Sequence, residues 1–337
     1  MLDVPNKEKF NQIITNREKV VVISHVNPDG DAIGSALALT LFLRKCDVPV
    51  SVILPNEVPA FLKWLPGYDV LSTCSLQMKV CRQLISDADV IIMVDFNEPG
   101  RLGDLQSEVE GSNAFKILID HHQHPASFTD ILISESWRGS TGEMIYLIIR
   151  ELGLMEKMDT DIATCLYVAI MTDTGNFRYG SSYSEIFDIA GDLVDYNIRK
   201  DEIFTNIYDS YSENRMRLMG YCMTEKLVVM PEYKTAYISL TMKELERYNH
   251  QVGDTEGFVN IPFSIKGVLV TALFIEKKNY IKISFRSKGG FSVDRLASLH
   301  FNGGGHINAA GGESNLSMEE TIQKFTSIIT ESKNEII

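Results

Sequence analysis

No stretch of this 337-residue chain approaches the ~20 consecutive apolar residues that a membrane-spanning helix needs, so a bilayer-embedded fold is not expected. The first residues, Met1-Leu2-Asp3-Val4-Pro5-Asn6-Lys7-Glu8, have neither the basic start nor the apolar core of a signal peptide, and a cytoplasmic protein is expected. Cysteine is sparse: Cys46, Cys74, Cys81, Cys165 and Cys222 are odd in number and scattered, with no Cys-x-x-Cys. Reduced thiols are expected rather than disulfides or a structural zinc site. Internal repeats, low-complexity tracts and Gly/Ser-rich or Pro-rich linkers are missing, which excludes solenoids and floppy tethers. Positive charge is short, 32 Lys+Arg against 45 Asp+Glu for a net charge of −13. That excludes wrapping of long nucleic acid through a basic face, yet leaves room for a short phosphorylated substrate held by local cations.

What is present is ordinary in bulk, 45% hydrophobic and 23% charged residues, and the length predicts two domains. Up to about residue 175, strand and helix patterns alternate. Val20-Val21-Val22-Ile23-Ser24 is a continuous apolar run, residues 31–43 have a helix's length and apolar density, and 48–54 form a second strand. The runs ending before Asp95 and Asp120 are further strands, with residues 131–133 as another candidate. Ser140 and Glu143 stand at capping-box spacing before a helix through residue 152, and Asp159 or Thr160 caps the next helix, through Met171. Near-continuous apolar strands alternating with helices predict an α/β fold with a doubly wound, mostly parallel sheet. Residues 184–223 become helical and more charged and predict an ordered helical linker. Residues 224–337 predict a smaller α+β domain with a mixed sheet, including a hairpin turning at Glu276-Lys277-Lys278-Asn279. The first domain is then 1–183.

Acidic residues and histidines cluster where apolar segments end. His25-Val26-Asn27-Pro28-Asp29-Gly30-Asp31 follows the first strand, Asp95 follows Val90 to Val94, Asp120-His121-His122 follows Phe115 to Ile119, and Asp173 closes the apolar stretch 162–171. Open parallel sheets bind ligands at the carboxyl ends of their strands, so four such ends converge on one crevice. So many carboxylates cannot sit together without cations, and a pair of divalent ions is the simplest answer. Oxygen and imidazole donors without thiolates favour Mn²⁺, Mg²⁺ or Zn²⁺. Asp95 is the natural bridging carboxylate, with His25 and Asp29 serving one ion and Asp31, His121 and Asp173 the other. Each cluster taken alone has a plainer reading. Asn-Pro-Asp-Gly-Asp is good turn chemistry, Asp31 could simply cap a helix, and Asp120-His121-His122 could be a solvated loop. His124, His250 and His300 lack acidic neighbours in a matching motif and are read as surface or core residues. In the second domain, Gly303-Gly304-Gly305-His306 reads as a flexible glycine run able to approach an anion. Arg286 suits bidentate phosphate contact, with Ser284, Ser287 and Lys288 as further donors. Phe285 and Phe301 are read as core rather than base-stacking residues.

These motifs resemble the DHH phosphoesterase superfamily. The order is His25-x-Asn27-Pro28-Asp29-Gly30-Asp31-Ala32, isolated Asp95, Asp120-His121-His122, then Thr172-Asp173-Thr174-Gly175. Ser284-Phe285-Arg286-Ser287, Gly303-Gly304-Gly305-His306 and Ala309-Ala310-Gly311-Gly312 resemble its companion DHHA1 domain, so the resemblance covers nearly the whole chain. Length and domain pair are most similar to the NrnA-type nanoRNases, bifunctional enzymes that degrade very short RNA to mononucleotides and dephosphorylate 3′-phosphoadenosine 5′-phosphate (pAp). The resemblance implies two Mn²⁺ ions, with Mg²⁺ or Co²⁺ as alternatives, held by His25, Asp29, Asp31, Asp95, His121 and Asp173. It implies that His122 faces the substrate phosphate while Asp120 orients the site; closure of the second domain over the crevice is expected from the proposed division of the substrate between the two domains. Short RNA and pAp are the expected partners, and a homodimer is allowed. The same catalytic residues would serve a cyclic-di-AMP phosphodiesterase, a family II pyrophosphatase (against which the glycine-histidine run argues), a RecJ-like exonuclease, or a binding protein that has lost turnover.

Overall fold

A computed structural model describes residues 2–180 and 183–336, which divide into two compact units, 1–210 and 211–337. The first unit begins with α1 (Val4–Asn16) and then alternates β1 (Val20–Ile23), α2 (Gly30–Lys45), β2 (Val50–Leu54), β3 (Leu71–Thr73), α3 (Cys74–Asp87) and β4 (Val90–Val94). It continues with α4 (Gln106–Gly111), β5 (Phe115–Asp120), β6 (Ile131–Ser134), α5 (Thr141–Leu152) and α6 (Thr160–Asp173). The six strands pair in the order β3-β2-β1-β4-β5-β6, every pair parallel. This is a doubly wound sheet whose order reverses between β1 and β4, the switch point where such sheets bind ligands.

The strands are apolar throughout because both faces are covered. Val20, Val22, Ile92 and Val94 pack into the larger core with α2, α5 and α6, while Val21, Ile23, Ile91 and Met93 pack into a smaller one with α3. Helices α2, α5 and α6 approach unusually closely. A Cβ on Gly34 would stand 2.6 Å from the Cys165 carbonyl oxygen, one on Gly142 2.4 Å from the Ala169 Cβ, and one on Gly30 2.3 Å from Thr172 Oγ1. Gly30 therefore serves helix packing, where the sequence pattern suggests a turn.

Two expectations are corrected here. Cys74 and Cys81 form a disulfide with Cα atoms 5.7 Å apart, whereas reduced thiols were expected. Seven residues of straight helix would span about 10.5 Å. A non-helical Gln77 (φ −136°) kinks α3 and brings the two cysteines together, which sequence spacing does not reveal. The expected linker is also divided. Helices α7 (Ser184–Asp195) and α8 (Lys200–Tyr208) bury Ile186, Ile189, Leu193, Ile203 and Ile207 in the core of the first unit. Helix α9 (Glu213–Tyr221) belongs to the second unit, burying Leu218 beside Ile238 and Leu240.

The second unit contains β7 (Leu227–Met230), β8 (Thr235–Leu240), α10 (Met242–Arg247), β9 (Val270–Glu276), β10 (Ile281–Ser287), α11 (Val293–His300), β11 (Gly304–His306), β12 (Ala309–Ser314), α12 (Met318–Glu331) and α13 (Lys333–Ile336). Its sheet, in the order β11-β12-β10-β9-β8-β7, is mixed: only β8 and β9 pair in parallel. The β9–β10 hairpin turns where the sequence indicates. Alternation sends Ala272, Phe274, Ile283 and Phe285 to a core shared with Phe301 and Phe325, and Leu273 and Ile275 to the opposite face. Both candidate stacking rings, Phe285 and Phe301, are thus core. Gly304 and Gly305 of the glycine run form the short strand β11 with His306, and Gly303 leads into it, rather than making a flexible loop. A Cβ on Gly303 would meet the Gly311 carbonyl oxygen at 2.0 Å, and one on Gly305 the Ala309 carbonyl oxygen at 2.4 Å, so these glycines permit close strand packing. No helix among the described residues is long and apolar enough to cross a membrane.

Candidate metal centre

The candidate ligands gather at the carboxyl end of the parallel sheet. His25 leaves β1, Asp95 leaves β4, and Asp120 ends β5 with His121 next. Asp29 is the N-cap of α2, one oxygen accepting from the backbone N–H groups of Asp31 and Ala32, each at 3.1 Å. Asp31 lies in the first turn of that helix and points at the N-terminus of α5. There it accepts from Thr141 N (2.7 Å) and Gly142 N (2.9 Å), and from the Ser35 hydroxyl (2.9 Å). Asp173 arrives differently from the expectation. It ends helix α6, the helix expected through Met171, and so does not share the strand-end position of the other clusters; the Gly30–Thr172 contact beside it carries it to the site.

Both expected ligand sets are among the groups that result. Ligand atoms of His25, Asp29 and Asp95 lie within 4.8 Å of one another, as do those of Asp31, His121 and Asp173. Asp95 stands between the sets: its Oδ2 is 3.5 Å from His25 Nε2 and its Oδ1 3.6 Å from His121 Nε2. His121 Nε2 is also 3.3 Å from Asp173 Oδ2 and 3.6 Å from Asp31 Oδ2. These separations are long for hydrogen bonds. Two ligands each about 2.1 Å from a common ion stand roughly 3.0–3.5 Å apart, close to what is seen. The backbone of Asp95 is held in the left-handed region (φ 68°), which Asp tolerates better than most residues. Its N–H donates to the Ile119 carbonyl and its Oδ1 accepts from the Thr141 hydroxyl (3.0 Å).

Both histidines are set up as neutral ligands. His25 Nδ1 lies 2.8 Å from the Val26 carbonyl and His121 Nδ1 3.1 Å from the Arg138 carbonyl, which assigns the proton to Nδ1 and leaves Nε2 as the donor atom. Burial, reinforced by the positive charge of Arg101, lowers the His25 pKa to about 4. Burial also pulls His121 down, but the carboxylates of Asp173, Asp31 and Asp120 outweigh it and raise it. Burial, then Asp173, lifts Asp31 to about 7, and burial with the Asp31, Asp29 and Asp173 charges lifts Asp95 well above the carboxylate range. Asp29 moves the other way despite burial, because His25 and the Ala32 N–H favour its ionised form. Such resistance to ionisation marks a site built for compensating positive charge.

Asp120 adds an independent sign. It is fully buried, its Oδ1 accepts from His122 Nδ1 (2.7 Å), and its Oδ2 has no hydrogen-bond partner. An orphaned buried carboxylate oxygen beside two carboxylate-histidine sets fits a centre completed by cations. A metal-binding acidic and histidine cluster is therefore part of this fold.

Thr141, Arg101 and Arg138 were missed from sequence. Thr141 was legible only as part of a helix cap, and that cap is half of the expected box. Ser140 accepts from Glu143 N, but the Glu143 side chain turns to Arg138, Gly139 N and the Tyr183 hydroxyl. In the second unit, pairing aligns Arg286, Ala309 and His306 in one row and Ser284, Gly311 and Gly304 in another, on one face of the sheet. Arg286 Nη1 donates to the Phe285 carbonyl (2.9 Å), and Gly305 N to Asp294 Oδ1 (2.9 Å). Ser287 falls on the opposite, buried face. Its hydroxyl donates to the Phe291 carbonyl and accepts from the Asn308 amide, so it ties the loop rather than offering a donor to solvent.

The sequence models of the DHH family, N-terminal domain, and of the DHHA1 domain match residues 19–170 and 235–334. The bifunctional oligoribonuclease and PAP phosphatase NrnA of Thermus thermophilus is 28% identical over 292 residues, 87% of this chain and 83% of that protein. The Bacillus subtilis protein of the same description is 26% identical over 308 residues, 90% and 92% of the two chains. Among solved structures, an exopolyphosphatase-related protein from Bacteroides fragilis superposes with a TM-score of 0.94 at 41% identity, covering 100% of this chain and 99% of that one. By its motifs, its two domains and this end-to-end likeness, the chain belongs to the DHH family of phosphoesterases and carries a DHHA1 domain in its second unit.

Proposed function

We propose that this protein hydrolyses short oligoribonucleotides to mononucleotides and removes the 3′-phosphate of pAp, using a pair of Mn²⁺ ions. The observation that carries the proposal is the pair of three-ligand sets meeting on Asp95, beside a buried and unpartnered Asp120 oxygen. The descriptions of the Thermus and Bacillus relatives support the substrate class. His25, Asp29 and Asp95 would hold one ion, and Asp31, His121 and Asp173, with the second Asp95 oxygen, the other. Bound there, the pair supplies Lewis-acid charge to a phosphoryl group and activates water.

The remaining work falls to the side chains. The Val26 and Arg138 carbonyls fix the ring orientations of His25 and His121. Thr141 holds Asp95 through its hydroxyl and Asp31 through its N–H, so one residue ties the two sets together. Asp120 accepts from His122 Nδ1–H, and we assign the His122 ring, carrying a second proton on Nε2, to the transferring phosphoryl group as hydrogen-bond and proton donor. Arg286, Ser284, Gly303 and the strand β11 of Gly304, Gly305 and His306 are assigned to the rest of the substrate.

The test is hydrolysis by protein stripped with chelator and reloaded with Mn²⁺. RNAs from dinucleotide upward and pAp should be consumed, long single strands poorly, and pyrophosphate and cyclic di-AMP not appreciably. Cleavage of cyclic di-AMP alone, or full activity after chelation, would reject the proposal.

A further inference from the structure

One cation stands beside the candidate metal centre without belonging to it. Arg101 lies in the 3-10 turn Pro99–Leu105 that follows β4 and Asp95. Its backbone is fixed to the loop carrying His25 and Asp29: Val26 N–H donates to the Arg101 carbonyl at 2.9 Å. Two residues on, Gly103 (φ 56°) passes so close to Val26 that a Cβ there would meet Val26 Cγ1 at 2.6 Å. The flanking Leu102 and Leu105 are fully buried and anchor the turn. The guanidinium is therefore mounted at a defined place, with Nη2 3.2 Å from His25 Nδ1.

That contact does not occupy the arginine. The same ring nitrogen is 2.8 Å from the Val26 carbonyl, and one nitrogen cannot both donate to the carbonyl and accept from Arg101. In the tautomer that presents Nε2 as a ligand, Nδ1 carries the proton, so Arg101 gains no hydrogen bond from His25. Among the described residues no carboxylate lies within ion-pair distance of Arg101, although Asp29 is near enough to feel its charge. A fixed positive charge beside a centre that itself collects cations is unfavourable unless an anion completes the group. Five donors in a planar fork suit a phosphoryl oxygen pair.

We propose that Arg101 binds a phosphoryl group of the substrate at the edge of the first ligand set. The inference rests on the phosphoesterase reading above and adds to it a phosphate ligand within the DHH domain. The chemistry recognised is the phosphate dianion or diester, whether free or on a nucleotide.

The test uses the full chain loaded with Mn²⁺, with AMP and inorganic phosphate as probes in calorimetric titration, and RNA dinucleotide turnover as a second readout. Arg101→Gln should weaken AMP and phosphate binding, and raise KM for the dinucleotide, by roughly 10- to 100-fold, the range for hydrogen bonds to charged groups. Mn²⁺ affinity should be unchanged or tighter, since a repelling charge is removed. Arg101→Lys keeps the charge without the fork and should fall between. If only phosphate responds, the site takes the free anion; if both respond, it takes the phosphoryl group generally. Unchanged probe affinity, or Mn²⁺ affinity falling in step with it, would overturn the assignment and leave Arg101 as a support for His25. Should Arg101→Gln fail to fold, the Lys variant decides by the same measurements. A wild-type protein that binds AMP only with Mn²⁺ yet cleaves no RNA would sink the proposed function and leave the Arg101 contact standing.

Discussion

Replacing Gly30 with Ala should dislodge one metal site through packing alone. The new Cβ would stand 2.3 Å from Thr172 Oγ1, 2.6 Å from its Cγ2 and 2.7 Å from its Cβ, while ordinary contact begins at 3.4 Å. Rotating the Thr172 side chain cannot relieve the last of these. Helices α2 and α6 must therefore separate by about 0.7 Å, or about 1.1 Å if Thr172 keeps its rotamer, against a metal-ligand tolerance of about 0.2 Å. The set of Asp31, His121 and Asp173 takes one ligand from each wedged helix. The set of His25, Asp29 and Asp95 takes two from strand ends. Mn²⁺ titration of Gly30→Ala should show loss of one site while the other persists, with an overpacking cost of about 1–3 kcal/mol in thermal unfolding. Adding Thr172→Ala should recover part of both. Two Mn²⁺ bound at wild-type affinity by Gly30→Ala would refute the packing account of how the second set is assembled.

Asp95→Asn should abolish hydrolysis of both RNA and pAp with the fold retained by circular dichroism; turnover of either would remove the bridging assignment. Thr141→Val, nearly isosteric, loses the donor to Asp95 and should weaken Mn²⁺ binding roughly 10- to 100-fold, with Thr141→Ser restoring it. Wild-type metal affinity in the Val variant would count against it. Metal-free protein should lose stability as pH rises from about 6.5 through 7. Asp31 binds its proton more tightly folded than unfolded, so ionising it costs the folded state, while His25, neutral when folded, opposes that trend only between about 4 and 6.5. Melting curves in chelator against pH check this, and Mn²⁺ should reverse the slope; a rise in stability across that window without metal would contradict it. Arg286→Ala should raise KM for the RNA dinucleotide while leaving Mn²⁺ affinity intact, and equal loss of both would end the division of roles between the two units.

Much of this protein was legible from its residues. Continuous apolar strands fixed the parallel sheet because only a strand covered on both faces needs them, and the acidic and histidine clusters marked where β1, β4 and β5 end. Tertiary structure decided the rest. Asp173 reaches the centre from the end of a helix because Gly30 and Thr172 let α2 and α6 touch, and no local pattern encodes a contact between residues so far apart. A kink at Gln77 turned two distant cysteines into a pair. Glycines that read as a flexible anion loop lie in or just before a strand, and their missing side chains admit the neighbouring backbone. Thr141 and Arg101 drew no role from sequence, since nothing in their neighbours names the carboxylate or imidazole that folding sets against them. Local sequence determines which groups are available and on what element; which of them share a charge is settled only when separate segments close on the same few ångströms.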